Sequence, residues 1–184
     1  MSNGSAHYTF EALTKCDNVR LGQLLKEGAN PELKDLVGYD FRGFNMQNLT
    51  TLIGTRKFKK GFFGDPDEGH IWGYNIRVVQ NNLSDPWIAL PNEDNPKRLA
   101  FFKVFPPEPT GRDADYPNAL VVDYSKWEDY FVLNPTKYIL DYLVFQDPGN
   151  NDLLLGISYF ALGNMRTFAG YFVLERHNKH DFRL

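Results

Sequence analysis

The stretch Tyr171-Phe172-Val173-Leu174-Glu175-Arg176 decides the fold. Side chains alternate across a strand, so Tyr171, Val173 and Glu175 share one face while Phe172, Leu174 and Arg176 share the other. Each face carries apolar residues and ends in a charge. A strand with one solvated face would be cleanly polar on that side. A strand in a barrel wall, with a filled or ligand-holding interior and partial helical cover outside, would not. The pattern therefore predicts that this segment closes a single antiparallel barrel by pairing with the first strand, near Val37 to Phe44.

Working outward, Leu36 to Phe44 mixes aromatic and polar residues around Gly38 and Gly43, and glycine inside a strand marks a bulge or a close backbone approach. Thr55 to Phe63 reads as a second strand. Arg56, Phe58, Lys60 and Phe62 lie on one face, with Lys57, Lys59, Gly61 and Phe63 on the other, so both faces are half basic. The acidic turn from Gly64 to Gly69 joins it to a strand from His70 to Val79. That turn lacks the alternating carboxylates and the distant glutamate of a calcium loop, so a solvated turn is expected. Trp87 to Leu90, Lys97 to Phe105, Ala119 to Tyr124, Tyr138 to Phe145 and Leu153 to Phe160 complete the set. Eight or nine strands against one good helix predict a mainly β fold, a single antiparallel up-and-down β-barrel of calycin-like type with hairpin connections.

Helical spacing is convincing only near the N-terminus. Asp17 or Asn18 caps the run Val19 to Gly28, where Leu21, Leu24 and Leu25 form one apolar stripe and Gly28 is the stop. Residues 1–32 are expected to form a helical leader packed on the barrel and residues 33–184 the barrel itself, one structural domain in all. Met46, Leu49, Leu52 and Ile53 are spaced for a further short helix ending at Gly54, placed across one end of the barrel.

Composition narrows the class. Fifteen Phe, ten Tyr and three Trp in 184 residues favour strands and large apolar cavities over helix bundles. Net charge is −3 with scattered Lys and Arg, which argues against nucleic acid or an anionic membrane as a partner; Arg56-Lys57-Phe58-Lys59-Lys60 is the local exception. That strand is expected to be solvated or to bind a head group. A single cysteine, Cys16, excludes an intrachain disulfide and fits a reducing compartment. The N-terminal residues show no secretory signal and no apolar run is long enough to span a bilayer, so a cytoplasmic location without membrane insertion is expected.

Five short motifs occur in an order similar to that of a bacterial GXWXG-type domain family of unknown function. Gly38 to Gly43 resembles its N-terminal G-x-W-x-G, with Phe41 in place of Trp and one extra residue. Thr55-Arg56-Lys57-Phe58 resembles its G-K-R-F, Ile139-Leu140-Asp141-Tyr142 its I-x-D-x-[FR], Leu155-Gly156 its L-G, and Phe172 to Arg176 its closing F-V-L-E-R. The resemblance covers most of residues 33 to 177. It implies a small barrel like those of lipocalins and fatty-acid-binding proteins, and supplies no reaction, cofactor or catalytic residue.

Polar residues set in apolar strands are the candidates for chemistry: Arg56, His70, Asp123, Tyr124, Asp141, Tyr142 and Arg176. An inward-facing carboxylate needs a cationic or hydroxyl partner, because an unpaired buried charge costs several kcal/mol. Asp141 is expected to pair with Arg56 or Arg176, either as an ion pair that pins barrel closure or as the polar end of a ligand site. Phe58, Tyr74, Phe101, Tyr124 and Tyr142 are expected to line the cavity. Acid–base catalysis by Asp123, Asp141, His70 or Tyr142 is the remaining alternative. Arg176 is expected to cap the packed end beside Gly38 to Phe44. The histidines lack metal-ligand spacing, no G-x-S-x-G or phosphate-binding glycine motif occurs, and Ser125, Ser158 and Cys16 have no visible triad, so neither metal nor cofactor is expected. The reading is a binding protein for a small hydrophobic molecule of fatty-acid, terpenoid or pigment type, with a homodimer possible. The second reading is a barrel isomerase, cyclase or hydro-lyase.

Overall fold

Eight strands hydrogen-bond in sequence order into a closed antiparallel barrel, each consecutive pair adjacent and the last paired to the first. The structure, a computed structural model, describes residues 8–46, 55–127, 135–147, 149–163 and 165–184. The strands are β1 Tyr39–Asn45, β2 Lys57–Phe63, β3 Ile71–Arg77, β4 Arg98–Phe105, β5 Leu120–Asp123, β6 Ile139–Asp147, β7 Asn150–Leu162 and β8 Met165–Lys179. The predicted seam is present. β8 pairs with β1 through Gly43 opposite Leu174 and Phe44 opposite Val173, with a register shift between Asp40 and Phe41 in the strand where the glycines pointed to curvature.

Two expectations about strands need correction. Trp87 to Leu90 is not a strand; only an isolated bridge joins Val78 to Ala89, because flanking Pro86 and Pro91 have no N–H to continue a ladder. Conversely, β7 runs on from the expected end at Phe160 to Leu162, and β8 begins at Met165 rather than at Tyr171. Their far ends project beyond the barrel as a hairpin whose residues are mostly half-buried or exposed on both faces, so no apolar alternation marks them. The stretch expected to lie helically across one end, from 47 to 54, falls outside the described residues.

Among the described residues, three short helices precede β1. α1 spans Phe10–Leu13 and α2 Asn18–Glu27, with the Asp17 carboxylate accepting the Arg20 backbone N–H as N-cap. The stripe Leu21, Leu24 and Leu25 packs on the outer wall with Val144, Leu155 and Val173. Gly28 ends α2 in an extended conformation. Its role is space, since a Cβ there would lie 2.5 Å from the Val144 side chain. The orphan carbonyls of Leu25 and Gly28 accept hydrogen bonds from the Asn118 side-chain amide at 3.0 and 2.8 Å. α3, Leu33–Leu36, inserts Leu36 into the closed end. No helix among the described residues is long and apolar enough to cross a membrane.

The interior divides into two halves. At the α3 end, Phe41, Phe62, Ile71, Val104, Leu143 and Leu154 belong to one packed cluster, with Phe62 edge-on to both Phe41 and Phe102. Glycines in the wall admit the large rings: a Cβ on Gly73 would sit 2.1 Å from Phe102, and one on Gly156 2.2 Å from Phe172. Ala100 in β4 has φ of +47°, the left-handed region that L-residues avoid, and the β3–β4 register shifts between Gly73 and Asn75. Ala100→Gly is expected to raise stability by about 0.5–1 kcal/mol, less than the full left-handed cost because glycine gains freedom in the unfolded chain; urea unfolding checks it.

Candidate functional site

The other half of the interior is open. A cavity of about 250 Å³ is lined by Phe58, Ile76, Leu99, Ile139 and Phe172 together with Lys60, Asn75, Tyr124, Asp141 and Ser158. Asn45, Thr55, Arg77 and Thr136, near the strand ends, belong to the same lining.

Strand parity builds the site. Phe58, Lys60 and Phe62 alternate inward along β2, facing Arg77, Asn75 and Gly73 of β3. Asp141 of β6 lies opposite Val122 of β5 and Ser158 of β7, which turns both Asp141 and Ser158 inward. β5 ends at Asp123, and the chain turns into a 3-10 helix, Tyr124–Lys126, whose first residue reaches back into the barrel.

These side chains form one network. The Lys60 amine donates to the Tyr124 phenol oxygen at 2.5 Å and lies 3.4 Å from Asp141 Oδ2. Ser158 donates to Asp141 Oδ1 at 2.5 Å. The Asn75 amide donates to Tyr124 Oη and to the Ala100 carbonyl, each at 3.1 Å. Lys60 Nζ lies 4.4 Å from the Phe102 ring centre and 5.5 Å from that of Phe172. Lys60 and Asp141 are each 2% exposed. Burial, outweighing Asp141, lowers the Lys60 pKa. Burial, outweighing Lys60, Ser158 and Tyr124, raises that of Asp141. Burial thus works against the charged form of both partners. Burial, reinforced by the charge of Asp141, also holds the Tyr124 phenol well above its usual range.

Of the residues singled out from sequence, the structure brings Phe58, Tyr124 and Asp141 together. Asp141 pairs with neither Arg56 nor Arg176. Arg56, exposed just before β2, lies over the Phe44 ring at 5.3 Å. Arg176 sits at the packed end, 3.9 Å over the Tyr39 ring and bonded to Asp152 and the Asp35 carbonyl. Tyr74, Phe101 and Tyr142 do not line the cavity, because their strand parity turns them outward. Tyr74 and Phe101 cluster with Phe63 and Phe182, while Tyr142 stacks on Tyr116 and donates to Asp113. Asp123 accepts from Ser125 and pairs with Arg112 at 3.2 Å, a turn-capping arrangement on the outer face. His70 packs edge-on against Trp72 at the acidic turn, away from the cavity.

The sequence reading missed Lys60. The β2 lysines are not solvated: Lys57 and Lys59 are each 1% exposed, and they tether the segment after β3 from outside the barrel. The Lys57 amine donates to the Asn82 and Asp85 carbonyls, and Lys59 pairs with Glu93 at 2.8 Å. The signal for Lys60 was its position between Phe58 and Phe62 on one face, where a cation flanked by aromatics points into the barrel. No family model matches the chain, and neither a curated protein nor a solved structure matches it.

Proposed function

We propose that the open half of the barrel binds a small apolar molecule through an oxygen-bearing polar end. One observation carries this reading: Lys60, Tyr124, Asp141 and Ser158 form a buried polar cluster at a cavity otherwise walled by Phe58, Ile76, Leu99, Ile139 and Phe172. Apolar walls with a few convergent polar groups are the usual make-up of a small-molecule site. At about 250 Å³ the space equals roughly eight waters, which suits a compact ligand rather than a long acyl chain. The motifs that resemble the GXWXG-type family fall on or beside β1, β2, β6, β7 and β8, all of which contribute to the cavity lining, and they support placing the chain near that family.

The test is direct. Saturation-transfer NMR with 3-phenylpropanol is expected to report binding to the parent protein. Ile139→Trp, which places an indole in the cavity from a half-buried wall position, is expected to weaken that binding at least about tenfold while thermal unfolding shows a folded chain. Undiminished binding in a folded Ile139→Trp variant would place the ligand elsewhere and overturn the reading.

A further inference from the structure

Resting on the binding reading above, we propose that the ligand is an aldehyde or ketone and that Lys60 condenses with its carbonyl carbon as a reversible imine. Three features of the cavity point to it. Lys60 Nζ lies at the cavity among aromatic rings, so a bound apolar molecule carries its polar end to a nitrogen nucleophile. Asp141 and Tyr124 both stand on that nitrogen, at 3.4 and 2.5 Å. The third feature is the charge balance. A carboxylate ligand would meet Asp141 as well as Lys60, and the pair carries no net charge to hold it. A fatty acid is thus a poor fit, whereas a neutral carbonyl is not repelled. Burial also keeps the amine unprotonated at pH values where exposed lysines are ammonium ions and cannot attack.

The protons balance within the site. Starting from the amine and the Asp141 carboxylic acid, the Nζ lone pair attacks the carbonyl carbon. The C–N bond forms, the C=O π pair moves to oxygen, and that oxygen takes the Asp141 proton. The carboxylate then removes one proton from the nitrogen, leaving a neutral carbinolamine, and returns it to the hydroxyl. Water departs as the nitrogen lone pair forms C=N. The products are a protonated imine, one water, and the Asp141 carboxylate as counter-ion, with no change of oxidation state. Tyr124, with its phenol held protonated, can donate a hydrogen bond to the developing oxyanion.

Reductive trapping tests the idea. The parent protein is incubated with 3-phenylpropanal and cyanoborohydride, which delivers hydride to an iminium ion and fixes it as a secondary amine. Peptide mass mapping is expected to find Lys60 labelled at least about tenfold faster than Lys15 or Lys26 near neutral pH, because burial keeps more of its amine in the free-base form. The advantage is expected to grow as the pH first falls below 10.5, where exposed lysines take up protons before the buried amine does. Asp141→Asn is expected to slow Lys60 labelling at least about tenfold more than it weakens the binding of 3-phenylpropanol. Labelling confined to exposed lysines, with Lys60 unmodified, would overturn the imine. If 3-phenylpropanol nevertheless binds the parent, the binding site survives and only the carbonyl chemistry fails. If neither compound engages the cavity, both readings fall.

Discussion

Replacing Lys60 by methionine and Asp141 by leucine together is expected to leave the barrel folded and neutral to about 1–4 kcal/mol more stable than the parent, whereas Asp141→Ala alone should cost about 3–5 kcal/mol. The asymmetry follows from burial. Both groups lose their hydration in the barrel, and neither recovers it fully from a partner 3.4 Å away. Removing one leaves the other without its main partner and leaves Ser158 without its acceptor. Removing both substitutes apolar volume where the neighbours Phe102 and Phe172 are already apolar. Urea unfolding of Lys60→Met, Asp141→Leu and the double variant measures the coupling. A double variant as unstable as Asp141→Ala would mean that the pair is a stabilising element rather than a retained functional one.

The same comparison carries a pH signature. The Asp141 pKa is raised above 3.8 in the fold, so the native chain holds more protons than the unfolded chain from that pH up to the raised value. Across that window the parent loses stability relative to the double variant as pH rises. The Lys60 pKa is lowered below 10.5, so there the unfolded chain holds the extra proton. Between the lowered value and 10.5 the parent regains stability as pH rises. Parallel pH profiles for the two proteins would contradict both shifts.

Phe62→Ala is expected to cost about 3–5 kcal/mol and to deepen the ligand cavity. Phe62 is fully buried, two residues from Lys60 on the same face of β2, and its ring contacts Phe41 at 5.5 Å and Phe102 at 5.9 Å between centres. It does not line the cavity, but Phe102, beside it, lies against the Lys60 amine. Phe62 thus belongs to the floor that separates the open half from the packed half. In the folded variant, 6-phenylhexanol should gain affinity relative to 3-phenylpropanol, by up to about fourfold for each methylene that the new space buries. Stability measured by urea, together with the ratio of the two affinities, checks both parts. Destabilisation without a change in that ratio would show that the floor lies elsewhere.

Legibility in the sequence followed the physics of each feature. The seam was readable because Tyr171 to Arg176 has two partly apolar faces, which only a barrel wall with cover on both sides tolerates. The α2 stripe and the Asp17 cap were readable because helix periodicity and end chemistry are local. Trp87 to Leu90 misled because apolar content was weighed above the two prolines that remove ladder donors. Asp141 was readable as a buried carboxylate in need of a cation, yet its partner was misassigned. An arginine just before β2 or in β8 satisfies the same sequence argument as Lys60, and nothing local says which of them shares the interior at the same height.

By itself, then, the sequence determined the eight barrel strands, their order and the closing pair, while adding Trp87 to Leu90 in error, because alternation, turn residues and helix caps are properties of neighbours along the chain. Only the tertiary structure decided which aromatics face inward, that Lys60 rather than Arg56 or Arg176 meets Asp141, and that half of the barrel stays open above Phe62. Those outcomes depend on strand register and closure, which bring residues 60, 124, 141 and 158 to one point and bury the first three of them.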